Sequence, residues 1–329
     1  MPEALAGAIS APKMQPSHYS APVFLAVLLV WSPSVASSSS AATCLNGSNP
    51  HFTCPAPCFC NAASSPRQID VQYNLTFSEK YALELDIYQP ANDSRHARPA
   101  VIAIHGGGFS GGGRGSEGHR CEGLATRGYV CATISYRLHP GINPGKDWKM
   151  YDEVVLNATY DARAAIRWLR ANAGRYKIDT SRIGATGSSA GALTVAFLVT
   201  VPGEGDSGNP GFDSSIAAGV SLSGALLATR YLQIKASQPP FLDLHGCLDQ
   251  IVPYIGSTSS PLSLAYNGVS THEQMVRHGA SASLISFTGC GHIGTPAENA
   301  AVAAHEDEIY SWFAQHLNLS TAECLPGLP

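Results

Sequence analysis

An α/β fold with a mostly parallel sheet and helices on both faces is what the sequence predicts, and three features carry that prediction. From residue 69 onward, short apolar runs alternate with stretches spaced like amphipathic helices. Some of the runs, Pro99–Ile104 (PAVIAI) above all, are apolar without a break, as expected for a strand covered on both faces. The longest helical stretch, Asp152–Ala173, places Val154, Ala158, Ala162, Ala165, Ile166 and Leu169 at three- and four-residue steps.

Taken in order, Ile69–Phe77 and Tyr81–Tyr88 (YALELDIY) alternate apolar and polar residues and read as two strands joined by a short turn. Pro99–Ile104 is the third strand, Glu117–Arg127 a helix, Tyr129–Tyr136 the fourth strand, and Asp152–Ala173 the long helix. Strand Arg182–Thr186 leads into helix Ala190–Val201, and strands Ala218–Ser223, Phe241–His245 and Ser283–Thr288 follow. A helix near Thr271–His278 separates the last two, and a closing helix covers about 297–316. Eight strands result, with no internal repeat and no linker long enough to divide two globular halves.

Composition narrows the function classes. The 329 residues are 44% hydrophobic and 13% charged, which excludes a disordered chain. A formal net charge of −4 and a pI of about 6.3 offer no basic stripe, so nucleic-acid binding is not expected. Ala21–Trp31 (APVFLAVLLVW) is apolar and is followed by the small residues Ser34-Val35-Ala36, the pattern of a signal peptide cleaved after residue 36. Eleven residues rise about 1.5 Å each, far short of a hydrocarbon core of about 30 Å, so no integral membrane span is expected. The expected localisation is extracellular. Nine cysteines, at 44, 54, 58, 60, 121, 131, 247, 290 and 324, suit an oxidising compartment, and the cluster Cys44, Cys54, Cys58, Cys60 reads as disulfide-forming rather than zinc-binding. Five N-x-S/T sequons, at Asn46, Asn74, Asn92, Asn157 and Asn318, agree with secretion, although Asn157 falls inside a predicted helix.

Four segments carry chemistry. Gly187-Ser188-Ser189-Ala190-Gly191 fits G-x-S-x-G between an apolar strand and an apolar helix. Such an elbow demands small flanking residues and sets Ser189 at a helix N-terminus, where backbone N–H groups favour developing negative charge. His105-Gly106-Gly107-Gly108-Phe109 closes the PAVIAI strand, and its glycines can turn backbone N–H groups into a pocket; no GK[ST] accompanies it, so it is not read as a phosphate loop. Asp249 follows the Phe241–His245 strand in HGCLDQIVP, and His292 follows the next strand in GCGH. Ligand sites in open α/β sheets gather at the carboxyl ends of strands. Ser189, Asp249 and His292 therefore converge there as nucleophile, orienting acid and base, since a serine needs a base and the base needs a carboxylate to set its tautomer. Asp243 is the rival acid but lies inside its strand.

The set HGGGF, GSSAG, HGCLDQIVP and GCGH resembles the α/β-hydrolase superfamily, in its carboxylesterase and hormone-sensitive-lipase-like branch, over about residues 69–316. Tyr136-Arg137-Leu138 and the helix segment Asp161–Leu169 look like that family's segments as well. The resemblance implies a serine esterase with Ser189 as nucleophile, His292 as base and Asp249 as acid. It implies an oxyanion hole from the N–H groups of Gly107, Gly108 and Ala190, support of that loop by His105, and no metal or organic cofactor. Two departures stand out. Many relatives carry Asp or Glu where this chain has Ser188, and only sixteen residues, Gly224–Pro239, lie where lidded lipases insert a cap, so little or no cap is expected.

Cys247 lies two residues before Asp249 and Cys290 two before His292, so a Cys247–Cys290 disulfide would tie the acid loop to the base loop. The resulting organisation is a signal peptide over 1–36, a Cys-rich segment over 37–68, a catalytic domain over 69–319 and a tail over 320–329. The expected substrate is a small or polymer-linked ester, with acetyl or feruloyl groups on polysaccharide as candidates. The rival readings are a serine peptidase of prolyl-oligopeptidase type and a catalytically silent binding protein on the same scaffold.

Overall fold

The computed structural model describes residues 68–143, 146, 148–227, 232–255, 265–293 and 306–319. By its contacts the chain divides into Met1–Ser40 and Ala41–Pro329. The signal-peptide and Cys-rich readings, Cys324 and the 320–329 tail lie outside the described residues.

The elements are β1 Ile69–Ser78, β2 Leu83–Pro90, β3 Arg98–Ile104, α1 Gly118–Thr126, β4 Val130–Ile134, α2 Trp148–Ala171, α3 Ala173–Tyr176, β5 Ile178–Ser188, α4 Ala190–Thr200, β6 Ala218–Leu222, β7 Leu226–Leu227, β8 Phe241–Gly246, β9 Ala265–Tyr266, α5 Gly268–Arg277, β10 Ala282–Phe287 and α6 Glu306–His316. Eight strands form one sheet in the order β1-β2-β4-β3-β5-β6-β8-β10. The β1–β2 and β2–β4 pairings are antiparallel, and every pairing from β4 through β10 is parallel. This is the mostly parallel eight-stranded sheet that the alternation of runs and helices predicts.

The uninterrupted apolar run of β3 has its cause in the layers above and below it. Ala100, Ile102 and Ile104 join a cluster with Val154, Ala158, Ala162 and Leu169 of α2. Val101 and Ala103, pointing the other way, join Cys121 and Leu124 of α1 with Ile309 and Phe313 of α6. A strand with helices on both sides has no solvent face, so its two-residue period has no polar phase to show. A disulfide between Cys121 and Cys131, with Cα atoms 5.0 Å apart, fastens α1 to β4 inside the second layer.

The structure adds elements that periodicity does not reveal. β5 starts at Ile178 rather than Arg182, because its first turn of chain is partly exposed and polar (IDTSR) yet pairs with β3 at Arg98. β7 and β9 are two residues each and pair only with one another, too short for any pattern. Among the described residues between β6 and β8, β7 is the only element, so no inserted cap domain is seen there.

Candidate active site

The carboxyl ends of four parallel strands come level with one another. Ser188 of β5 pairs with Leu222 of β6, Leu222 with Leu244 of β8, and Gly246 of β8 with Phe287 of β10. Ser189, Asp249 and His292 stand one, three and five residues beyond those ends, so register alone brings them to one edge.

Ser189 sits on a strained turn, with φ 55 and ψ −116, between β5 and the first residue of α4. A side chain at positive φ costs on the order of 1–3 kcal/mol and persists only where its surroundings hold it. Here the Ser189 N–H donates to the Leu222 carbonyl at 2.9 Å. The turn also needs its flanking glycines: a Cβ on Gly191 would lie 2.0 Å from the Ile104 carbonyl oxygen, so α4 could not approach β3 with any other residue there.

His292 reaches both partners. Its Nδ1 lies 2.8 Å from Asp249 Oδ2 and its Nε2 lies 2.9 Å from Ser189 Oγ. An ionised carboxylate only accepts, so Nδ1 carries the proton and Nε2 is left to accept from the serine hydroxyl. Asp249 Oδ1 accepts the backbone N–H groups of Ile251 and Val252, each at 2.9 Å. Burial alone would push the Asp249 carboxyl up, but hydrogen bonds from His245 and His292 hold it well below the usual carboxylate range. Asp243 stays within β8, buried, and does not approach His292; its Oδ1 accepts from Ser221 Oγ at 2.6 Å.

The HGGG loop lies against the elbow. Gly107 has φ 112 and Gly108 φ 60, a left-handed run that turns the backbone back over Ser189. Gly106, Gly107, Gly108, Ser189 and His292 line one cavity of about 440 Å³, and Ala190 opens α4 directly after the serine. His105 does not enter the cavity. Its ring stacks on Tyr136 at 4.2 Å, and its Nδ1–H donates to the Gly106 carbonyl at 2.7 Å. Burial lowers its pKa, which keeps this imidazole neutral.

The predicted Cys247–Cys290 bridge is not formed. Cys247 is in a disulfide, whereas Cys290 is a thiol, so Cys247 bonds to a different cysteine. The two side chains enter different clusters: Cys247 packs with Tyr254, Val269 and Leu284, and Cys290 packs against the cluster that holds Leu244 and Phe287. Backbone hydrogen bonds tie the acid and base loops instead, from Leu248 N–H to the Cys290 carbonyl at 2.8 Å and from Cys247 N–H to the Phe287 carbonyl at 3.1 Å.

Several site residues escape sequence reasoning. Ser223 Oγ accepts the Ile293 N–H at 2.9 Å and so anchors the loop bearing His292. Glu117 and Arg120 form a buried ion pair on the cavity wall, and Arg120 reaches Ser188 Oγ at 3.4 Å. A guanidinium paired with a carboxylate thus reaches Ser188 from a distant segment. His245 is the third omission. Its Nδ1 lies 3.0 Å from Asp243 Oδ2, and its Nε2 lies 2.8 Å from the Val252 carbonyl and 3.4 Å from Asp249 Oδ2. One signal was available: two ionisable residues, Asp243 and His245, share a face of a strand buried on both sides, which is costly unless they are paired.

Burial lowers the His245 pKa, but Asp243 and Asp249 outweigh it and raise it from 6.5 to about 10. The stability carried by that proton is complete below pH 6.5 and is lost as pH rises through about 10. Thermal midpoints are expected to decline across that window; a flat profile would contradict a charged imidazole at this position.

The chain is similar to known proteins in sequence and fold. Residues 85–223 match the BD-FAE family, a span that includes the HGGG loop and the elbow. The fold is shared with a thermophilic esterase, Est2, from the Planctomycetes species Thermogutta terrifontis, at a TM-score of 0.60 and 21% identity over 78% of this chain and 94% of that one. The chain has an α/β-hydrolase fold. Among curated relatives, the chain is 30% identical over 127 residues to Fumonisin B1 esterase of Sphingopyxis macrogoltabida, covering 36% of this chain and 23% of the relative. It is 32% identical over 186 residues to Carboxylesterase 1D of Mus musculus, covering 53% and 29%. It therefore spans less than half the length of these relatives.

Proposed function

We propose that this chain is an α/β-hydrolase acting as a serine carboxylic-ester hydrolase through an acyl-enzyme. The observation that carries the reading is the continuous chain from Asp249 through His292 to Ser189, at 2.8 Å and 2.9 Å. Ser189 Oγ attacks the ester carbonyl carbon while His292 Nε2 takes the hydroxyl proton. The oxyanion that forms meets the N–H groups of Gly107, Gly108 and Ala190, donors of the kind that are each worth about 3 kcal/mol in such sites. Collapse of the tetrahedral species breaks the C–O bond, and His292 returns its proton to the leaving alcohol. Water, deprotonated by the same imidazole, then releases the acid.

The proposed substrate class is an ester carried on a larger body. That no cap domain is seen among the described residues between β6 and β8 supports an ester attached to a larger body. We place acetyl or feruloyl esters of extracellular polysaccharide in this class, with the chain exported by its N-terminal signal. The buried Cys121–Cys131 disulfide supports an oxidising compartment, and the esterase names of the relatives support the reaction type.

A fluorophosphonate probe is expected to add one equivalent to the protein, at Ser189 by peptide mapping. A series of p-nitrophenyl acyl esters, run beside acetylated xylan, feruloylated arabinoxylan and a dipeptide amide panel, then ranks the substrates. Failure of the probe to label would leave a silent binding protein, and faster turnover of peptides than esters would make the enzyme a peptidase.

A further inference from the structure

His245 and His292 both approach Asp249 Oδ2, at 3.4 Å and 2.8 Å, and the reaction as written above makes no use of His245. Both ring nitrogens face acceptors: Nδ1 the carboxylate of Asp243 at 3.0 Å, Nε2 the Val252 carbonyl at 2.8 Å with Asp249 Oδ2 at 3.4 Å. A neutral imidazole has a single N–H, so these contacts are all satisfied only when both nitrogens carry protons. The side chains of His245 and Asp249 are fully buried and that of Asp243 is 2% exposed, so water does not screen the three charges.

We propose that His245 is a positioning residue of the active site: its imidazolium, clamped between Asp243 and Asp249, aims the Asp249 carboxylate at His292 and offsets part of its charge. The proposal deepens the esterase reading and rests on it for its kinetic readout. In the resting site, Asp243, His245 and Asp249 sum to one negative charge. When His292 takes the serine proton, the four-residue chain becomes neutral. Without the charge on His245, two carboxylates would stand behind His292, which would then hold a proton in the resting enzyme to higher pH and be withheld from its role as base.

The groups around His245 come from every neighbouring element. From β6, Ser221 Oγ donates to Asp243. From α5, His272 faces Asp243 and is itself held low by burial, while Gly268 packs so closely that a Cβ there would lie 2.5 Å from His245 Nδ1. The Tyr254 ring lies 5.8 Å away on the loop after β8, and His292 stands beyond Asp249. The titratable members of this shell are thus Asp243, Asp249, His272, His292 and the Tyr254 phenol.

The test compares the full chain with His245→Gln and Asp243→Asn, each checked for folding by circular dichroism. In His245→Gln, kcat is expected to fall by about 10²-fold with KM nearly unchanged. The acid limb of its kcat/KM profile is expected to move up by about one pH unit, because a cation has left the site. In Asp243→Asn an anion leaves instead, and the limb is expected to move down. Opposite shifts are not the signature of a merely structural pair. Folded variants whose limbs stay in place, or move in the same direction, would overturn the proposal. If His245→Gln does not fold, Asp243→Asn decides alone. A second readout is independent of turnover: ring ¹⁵N NMR of the wild-type protein is expected to show both His245 nitrogens protonated from about pH 5 to about pH 8. A neutral tautomer at pH 7 would overturn the proposal even if esterase activity is found. Should the wild-type protein hydrolyse no ester, the esterase reading fails separately, and the NMR result still decides the state of His245.

Discussion

Ser189→Ala is expected to lower kcat/KM for p-nitrophenyl acetate by about 10⁴- to 10⁶-fold while leaving the fold intact. In the proposed mechanism the hydroxyl accepts the acyl chain, and its Oγ is the atom 2.9 Å from His292 Nε2. Alanine retains the methylene and removes only the oxygen. The positive φ of 55 at this residue is set by the elbow, not by the hydroxyl, so the thermal midpoint is expected to change little. Whatever hydrolysis survives would come from the oxyanion donors and bound water. Steady-state kinetics on purified protein with an active-site titration separates that residue of activity from contaminating esterase. A variant that keeps a tenth of the wild-type rate would remove Ser189 from the mechanism.

Asp249→Asn is expected to cost about 10⁴-fold in kcat with a small change in KM. The amide oxygen can still accept from Ile251 and Val252, which hold Asp249 Oδ1 at 2.9 Å each. That orientation turns the NH₂ group toward His292 Nδ1 and His245 Nε2, where the carboxylate had accepted. His292 must then carry its proton on Nε2, facing the serine, and an N–H cannot take a proton from a hydroxyl. The buried charge of His245 also loses one of its two counterions. Loss of less than tenfold in a folded variant would mean that another carboxylate orients the base; Asp243 would be the first to examine.

The parts of this molecule that could be read from the chain share a short range. Continuous apolar runs mark strands with no solvent face, and β3 shows why, its alternate residues entering two different helical layers. The small residues around Ser189 mark a turn whose tightness is local, with Gly191 pressed against the end of β3. The exclusion of Asp243 rested on its place inside a strand, and β8 does keep it there. The cysteine pairing shows where such reasoning fails. Cys247 and Cys290 have matching offsets from Asp249 and His292, yet their side chains enter different clusters, because spacing along the chain does not say which face a loop residue takes.

By itself, the sequence determined the order of strands and helices, the elbow, and the short list of residues able to do nucleophilic chemistry, because sterics and periodicity act between near neighbours. Tertiary structure decided the electrostatics: the Glu117–Arg120 pair beside Ser188, the anchoring of Ile293 by Ser223, and the charge balance of Asp243, His245 and Asp249. Coulomb interactions and hydrogen bonds depend on distance through space and on the exclusion of water. Partners such as His292 and Ser189, 103 residues apart, acquire both only when the sheet brings its strand ends level.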